Sequence, residues 1–370
     1  MMKRMFHITM SRPVLDEAGL RALERKWRAL AAGSGASYFQ DWGWVGCMAA
    51  ERYADPVLIE VKRDEALVGL ALFDRRTGPG GTSLHLQEST DPALASIFVE
   101  HSGPLLSITD PVLRQAVFAA LFTYAINGPI GTMTTRPRRL VLSGVAPDCA
   151  DAATMAGGLV AKKSARIAPY ASLESDGLER PFIQRLSRNT RHQLRRSNRV
   201  YAAQGPLTIH RAETADEGIA YMNDMIVLHD RTWMARGKKG AFSTASVRRF
   251  YRLLLSDGVR AGEVDMLRVA AGDAIVGYLM NFTHAGTVSA YQSGFDYAAA
   301  GSHQKPGLTC HFLAIEHYQS LGFHTYDFLA GADRYKLSLA NAQRQLHWLH
   351  VMPAWHPASI GTRLRQLMHL

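Results

Sequence analysis

Residues 303–308, His-Gln-Lys-Pro-Gly-Leu, stand where an apolar β-rich run ending at Asp296 gives way to a helix of about four turns. The first N–H groups of a helix have no partner inside it, so a helix that starts just beyond a strand end can hold an anion. Pro306 suits that first turn, because its missing N–H would have gone unused there. Lys305 adds positive charge beside Gly307 and Leu308. Gly322 closes the helix, a short apolar strand over 326–329 carries Asp327, and Gly331 leads to Tyr335-Lys336. An anion site, a carboxylate, a phenol and an amine therefore arise within one strand–loop–helix–strand stretch, from Tyr291 to Lys336. Upstream, His229 and Trp233 lie on a helix that runs into the basic loop of Arg236, Lys238 and Lys239. An unshifted histidine titrates near neutrality, which makes His229 a candidate base, with a helix-capping or packed imidazole as the competing assignment. Tyr291 and Gln292 sit on the strand before the loop. Gln292 and Ser293 face opposite sides of that strand, so at most one of the two lines a site.

A third feature is electrostatic. Residues 180–199 (RPFIQRLSRNTRHQLRRSNR) hold seven arginines, one histidine and no acid. Helical spacing puts Phe182, Leu186 and Leu194 on one side and Arg185, Arg188, Arg191, Arg195 and Arg199 on another. Such a face is either solvated and paired with acids elsewhere, or it meets an anionic partner such as CoA phosphates, RNA or lipid headgroups. It accounts for much of the formal charge of +10.

Several chemistries are unsupported. There is no Gly-x-Ser-x-Gly elbow and no His-Glu-x-x-His pair, and the three cysteines (Cys47, Cys149, Cys310) are far apart. That pattern argues against a disulfide framework, a zinc site or metal catalysis, and for a reducing cytosol. Glu316 and Asp327 do not make a glycosidase pair by spacing. The Gly-rich 77–82 stretch lacks the lysine and helix of a phosphate loop and reads as a hairpin tip. No apolar run approaches the roughly 18 residues of a membrane span, and the N-terminus has no secretory signal.

The elements that must position these residues read as alternating α and β. A strand over 6–9 precedes an amphipathic helix marked by Leu15, Leu20, Leu23, Trp27 and Leu30, and residues 38–50 form a second helix with Trp42 and Trp44 in the core. Strands at 57–61 and 66–73 flank a tight turn at 63–65; an apolar helix covers 113–126 and a buried strand 139–142. The second half repeats the order: strand 207–211, helices from 215 and 247, then a meander at 264–269, 274–282 and 287–295. A strand at 345–351 and a basic helix end the chain. Residues 65–70 (EALVGL) and 273–278 (DAIVGY) match, which suggests a duplicated α/β unit broken near 147–163, with 167–173 a strand between the halves.

His229 and Trp233, the Pro306-Gly307 helix start, and Tyr326-Asp327-Phe328 followed by Gly331 and Tyr335-Lys336 together resemble the GNAT-type acyltransferases of the CelD/BioF-like group, relatives of the Fem peptidyltransferases. Phe39-Gln40, Trp42, residues 170–173 and the Arg-rich helix extend the resemblance over most of the chain. It implies an α/β (α+β) fold of two tandem GNAT-like units, each a mixed, mostly antiparallel sheet flanked by helices. Residues 1–165 would be a degenerate unit and 166–370 the acyltransferase unit. The donor expected is acetyl-CoA or another acyl-CoA, used as a co-substrate without a metal, and bound by His303, Gln304, Lys305, Gly307 and Leu308. The usual Gln/Arg-x-x-Gly-x-Gly/Ala donor loop is absent from 301–307.

Acyl transfer needs the acceptor deprotonated, the oxyanion stabilised and both substrates held in place. On the resemblance, Asp327 or His229 is the base, Tyr335 protonates the leaving thiolate, and Lys336 polarises the carbonyl or binds phosphate. Each has a structural role as its alternative. Trp233, Arg236, Tyr291, Gln292, Arg188 and Arg191 are the candidates on the acceptor side. The group's ties imply an amino-sugar or lipid-linked sugar acceptor for cell-envelope or exopolysaccharide synthesis, in the cytoplasm or at the inner membrane face. Two rivals stand: an aminoacyl-tRNA-dependent transferase like the Fem relatives, and a non-catalytic nucleotide- or nucleic-acid-binding shell.

Overall fold

The two matching hexapeptides are the same hairpin in two places. In the first, β2 (Pro56–Arg63) and β3 (Ala66–Gly78) turn through Asp64 and Glu65, both with left-handed φ (47° and 64°). Those values fit the two-residue turn that matches strand twist. In the second, β9 (Val264–Ala271) and β10 (Ala274–His284) turn through Gly272, φ 58°. Each copy then carries a bulge at the same place. Val61 pairs with Gly69 and Lys62 with Leu67, leaving Val68 extra; Ala270 pairs with Ile275 and Val269 with Gly277, leaving Val276 extra. The glycine after each bulge sits in a close approach. A Cβ on Gly69 would lie 2.9 Å from the Leu106 side chain, and one on Gly277 2.6 Å from the Phe295 ring.

The computed structural model describes residues 6–87, 96–128, 136–174, 180–357 and 359–360. The basic C-terminal helix expected from sequence falls mostly outside them. The chain divides into two units, Met1–Arg166 with Gln345–Leu370, and Ile167–Arg344. The expected division kept 345–370 with the second half. Instead β13 (Ala342–Met352) pairs antiparallel with β6 (Arg139–Val145) of the first unit, and its apolar residues Leu349 and Val351 join that unit's core.

The first unit runs β1 (His7–Ser11), α1 (Glu17–Ala31), α2 (Trp42–Arg52), β2, β3, β4 (Gly81–Leu86), the short β5 (Leu105–Leu106), α3 (Pro111–Asn127), β6 and α4 (Pro147–Ala156). Its strands lie in the order β1-β2-β3-β4-β6-β13, with β5 on β3, and β4–β6 is a parallel pair. Trp42 and Trp44 are buried, as their spacing suggests. Between the halves, 157–172 is not helical: β7 (Leu159–Ser172) starts sooner than expected, and residues from Ile167 on belong to the second unit.

The second unit then repeats the plan. After α5 (Phe182–Arg185) and α6 (Arg188–Ala202) come β8 (Leu207–Arg211), α7 (Ala215–Met234), α8 (Ala245–Ala261), β9, β10, β11 (Thr287–Phe295), α9 (Pro306–Ser320), β12 (Thr325–Asp327) and α10 (Arg334–Leu339). The sheet order is β7-β12-β11-β10-β9-β8, with β11–β12 as the parallel pair. In both units a strand, two helices and an antiparallel meander lead to a helix and then to a strand parallel to the meander's last. A parallel neighbour needs such a crossover, and the helix is that crossover.

Two irregularities shape the middle of the second unit's sheet, at β11. β12 pairs with β11 only at Thr287, Val288 and Ser289, whereas β11 continues to Phe295. Opposite β10, Met280 meets Gln292 and Asn281 meets Ala290, so Tyr291 is an extra, bulged residue. α9 follows, and its residues from Pro306 through Phe312 are buried.

Candidate functional site

The start of α9 has no cap. Lys305 holds the N-cap position without a side-chain hydrogen bond, and Pro306 has no N–H to give. Among the described residues nothing accepts a hydrogen bond from the N–H of Gly307 or Leu308, and both residues are buried. Buried helix ends are normally satisfied by a side chain, water or a ligand. Gly307 is tightly surrounded: a Cβ there would come 3.1 Å from both the Phe295 ring and the Tyr297 hydroxyl. The corresponding helix of the first unit is built the other way. Asp110 caps α3 and accepts from Leu113 N at 2.7 Å, filling with its own carboxylate the place an anion would take.

The preceding loop is closed on itself. Asp296 Oδ1 accepts from Ala299 N (3.1 Å), and the Gln304 amide oxygen accepts from Gly301 N (2.6 Å). Gln304 is thus spent on the loop, and His303 is engaged by Arg196 of α6. Lys305 N donates to Ser197 Oγ (2.9 Å), Ser197 Oγ meets Thr309 Oγ1 (2.9 Å), and that hydroxyl donates to Asn198 Oδ1 (3.1 Å). α6 is therefore pinned to the first turn of α9 by small hydroxyls that sequence reading passed over. Of the five donor-side candidates, Gly307, Leu308 and Lys305 remain at the helix start, while His303 and Gln304 support the loop.

α6 begins at Ser187, whose hydroxyl caps Thr190 N, after a break at Leu186 that separates it from α5. Thr190, Leu194, Ser197 and Tyr201 form its buried side, and Phe182 and Leu186 are buried just before it. Arg191 donates to the carbonyls of Gln184 and Leu186 (3.2 and 2.7 Å) and so fixes that corner. Arg188, Arg195 and Arg199 are exposed, and among the described residues no acid pairs with any arginine of α6.

Beyond β12 the chain turns sharply. Leu329 adopts φ 60°, and Asp327 holds that turn: Oδ1 accepts from Leu329 N at 2.7 Å, and Oδ2 lies 3.8 Å from Arg344 Nε. The carboxylate is buried and occupied. Lys336 Nζ donates to Ala330 O (2.9 Å) and lies 4.0 Å from Asp333. Tyr335 stacks on His311 (centroids 5.0 Å, interplanar 14°) with Phe328 edge-on. Its hydroxyl has no hydrogen-bond partner among the described residues. Burial pushes this phenol up, and the charges of Asp333 and Tyr297 add to the effect. Tyr297 is raised by burial as well and is opposed by Arg236. Electrostatics thus draws Tyr335, Tyr297, Asp333, Arg236 and Lys336 into one neighbourhood beside Gly307. Tyr297 and His311 carry no local signal that would have picked them out; both gain their places through tertiary contacts.

His229 has no lone pair to spare. Its Nε2 accepts from Ala241 N (3.1 Å), so Nδ1 carries the proton and donates to Ser293 O (3.0 Å). Burial lowers its pKa, with the Ser293 bond opposing. The imidazole ties α7 to β11 and to the loop after α7. Trp233 stands next to it, half-buried, with Arg236 and Lys238 over its ring at 5.4 and 5.9 Å. Tyr291 faces away from α9: its hydroxyl accepts from Tyr251 (3.2 Å) and its ring packs on Phe282. Gln292 is partly exposed. The arrangement as a whole offers two backbone donors for an anion, with a phenol and an ammonium group a short way on.

Residues 188–337 match the family described as Acetyltransferase (GNAT) domain. No curated protein sequence matches the chain. Among solved structures, FemX is similar over 94% of this chain and 98% of its own, at 10% identity and a TM-score of 0.60. The C-terminal domain of a putative lysylphosphatidylglycerol synthetase from Agrobacterium fabrum covers 92% of this chain and 95% of its own (11% identity, TM-score 0.52). L-PGS from Bacillus licheniformis covers 93% and 95% (10% identity, TM-score 0.50). At these identities the likeness is one of fold. Residues 188–337, most of the second unit, thus match a GNAT acetyltransferase domain, and the chain as a whole shares the fold of FemX.

Proposed function

We propose that the chain is an acyl-CoA-dependent acyltransferase, with acetyl-CoA as donor and the amine of an amino sugar or related cell-envelope or exopolysaccharide precursor as acceptor. The observation that carries this reading is the start of α9: two buried N–H groups without an acceptor, led by a proline and flanked by Lys305. Donor phosphates would take those N–H groups, with Lys305 as counter-charge. The acyl chain would then run toward Tyr335 and Lys336. The acceptor nitrogen attacks the thioester carbon, the C–S bond breaks, and the thiolate takes the Tyr335 proton. The acceptor's ammonium proton, passed through solvent, restores the phenol. Lys336 favours negative charge on the carbonyl oxygen. His229 and Asp327, both committed to holding backbone, act as framework. The site is reached from the cytoplasm in this reading, and no helix of the described residues is long and apolar enough to cross a membrane.

A second reading is favoured by one observation, the arginine face of α6 without acidic partners: an aminoacyl-tRNA donor whose phosphates meet Arg188, Arg195 and Arg199. Transfer assays with labelled acetyl-CoA and with charged tRNA, each offered an amino-sugar acceptor, separate the two. Label transferred only from acetyl-CoA supports the first reading; label transferred only from tRNA replaces it with the second.

A further inference from the structure

Beneath α9 runs a file of buried polar groups in an otherwise apolar core. Arg211 of β8 pairs with Asp265 of β9, and Asp265 Oδ2 accepts from the Tyr318 hydroxyl (2.9 Å). Asn281, beside the β11 bulge, donates its amide to Tyr318 (3.1 Å). Burial pushes the Tyr326 phenol well above its usual range, with the Asn281 side chain opposing. The Tyr326 hydroxyl in turn meets His311 Nδ1 at 2.9 Å. Asp265, Tyr318, Asn281, Tyr326 and His311 are all nine-tenths or more buried. The last atom of the file, His311 Nε2, is buried and has no partner among the described residues.

The polarity of this file can be worked out. Asp265 accepts, so Tyr318 donates to it, and Asn281 donates to Tyr318. The Tyr326 proton then has His311 Nδ1 as its acceptor, which leaves the His311 proton on Nε2. The reverse polarity would strand the Tyr326 proton as well as the Nε2 lone pair, one unsatisfied group more, with Asn281 Oδ1 without a partner among the described residues in either case. His311 lies one helical turn after Gly307, and its ring forms the floor on which Tyr335 stacks.

We infer that His311 is a positioning residue for Tyr335, its imidazole held neutral and in one tautomer by the buried file that begins at Arg211 and Asp265. This rests on the reading of Tyr335 as the acid that protonates the leaving thiol. The file reaches across β8, β9, β10 and β12 to α9, so it makes the orientation of the phenol depend on the register of the whole second unit.

Tyr326→Phe is the test, because it removes one oxygen and keeps the packing. Nitrogen-15 NMR of the imidazoles is expected to show His311 neutral with its proton on Nε2 in the wild type, and to lose that single tautomer in the variant. Thiol release from acetyl-CoA with glucosamine as acceptor is expected to show kcat about tenfold lower and acetyl-CoA affinity within twofold. In a Tyr335→Phe background the same change is expected to cost nothing further, because it acts through Tyr335. A proton on Nδ1, an unchanged tautomer in the variant, or losses that multiply in the double variant would each overturn the inference. Wild-type protein that neither binds acetyl-CoA nor releases thiol would fail the acyltransferase reading instead, and would leave the tautomer result to decide whether the lock exists.

Discussion

Lys305→Asp should strengthen the fold and abolish donor binding in the same molecule. An aspartate at the N-cap of α9 would accept from Gly307 and Leu308, the two N–H groups now without partners. The first unit shows the arrangement already made, in Asp110 on Leu113 at α3. An N-cap of this kind stabilises by about 1 kcal/mol, and the favourable interaction of a carboxylate with the helix dipole by about 0.5 kcal/mol more. The melting temperature is expected to rise by roughly 2–4 °C. Donor phosphates would lose two charge-assisted hydrogen bonds, each worth about 1.5–3 kcal/mol, as well as the lysine charge. Acetyl-CoA affinity is therefore expected to fall at least ~100-fold. Differential scanning fluorimetry gives the first quantity and calorimetric titration the second. Asp110→Ala is the control, expected to cost about 1 kcal/mol and to leave acetyl-CoA binding alone. If Lys305→Asp binds acetyl-CoA as the wild type does, the start of α9 is not the anion site.

Other consequences are open to measurement. His229→Phe strands Ser293 O and Ala241 N–H, at about 1–3 kcal/mol each, so urea denaturation should show a clear loss of stability while turnover per folded molecule holds. Full stability with abolished turnover would make His229 a catalytic base after all. His311 is lowered from 6.5 to about 3 by burial, with the Lys336 charge adding to it. The unfolded chain therefore takes up that proton first as pH falls below about 6.5, and stability is lost from there down toward the folded value, on the order of 4–5 kcal/mol over the interval. His311→Phe should flatten the dependence of the urea midpoint between pH 6.5 and 4; an unchanged slope would contradict burial of a neutral imidazole. Replacing Arg188, Arg195 and Arg199 with alanine should leave acetyl-CoA affinity within twofold. A large loss would bring α6 into the donor site.

What the sequence revealed and what it hid divide along a physical line. The duplicated unit was visible because the EALVGL and DAIVGY stretches encode a turn, a bulge and a close-packed glycine within six residues, all local requirements. The helix start at Pro306 was visible for the same reason. The roles of the polar side chains were not. Gln304 looks like a ligand-facing amide until its oxygen is seen to close on Gly301. Asp327 looks like a base until Leu329 is seen to need a left-handed turn, and His229 until both of its ring nitrogens are found to be bonded. Ser197 and Thr309 meet across a sequence separation of 112 that no periodicity predicts. The same holds for His311, whose partners come from β12 and α10. Propensity and pattern report what a segment needs for itself. The tail from Gln345 shows the limit of this: its alternation identifies a strand but not its pairing with β6.

The most direct test is titration of the wild-type chain with CoA and acetyl-CoA, followed by thermal unfolding. One site per chain is expected, since Asp110 closes the matching helix of the first unit. At a hundred times its Kd, acetyl-CoA should stabilise the protein by about 2.7 kcal/mol. No shift with either ligand would contradict an acyl-CoA site at the start of α9.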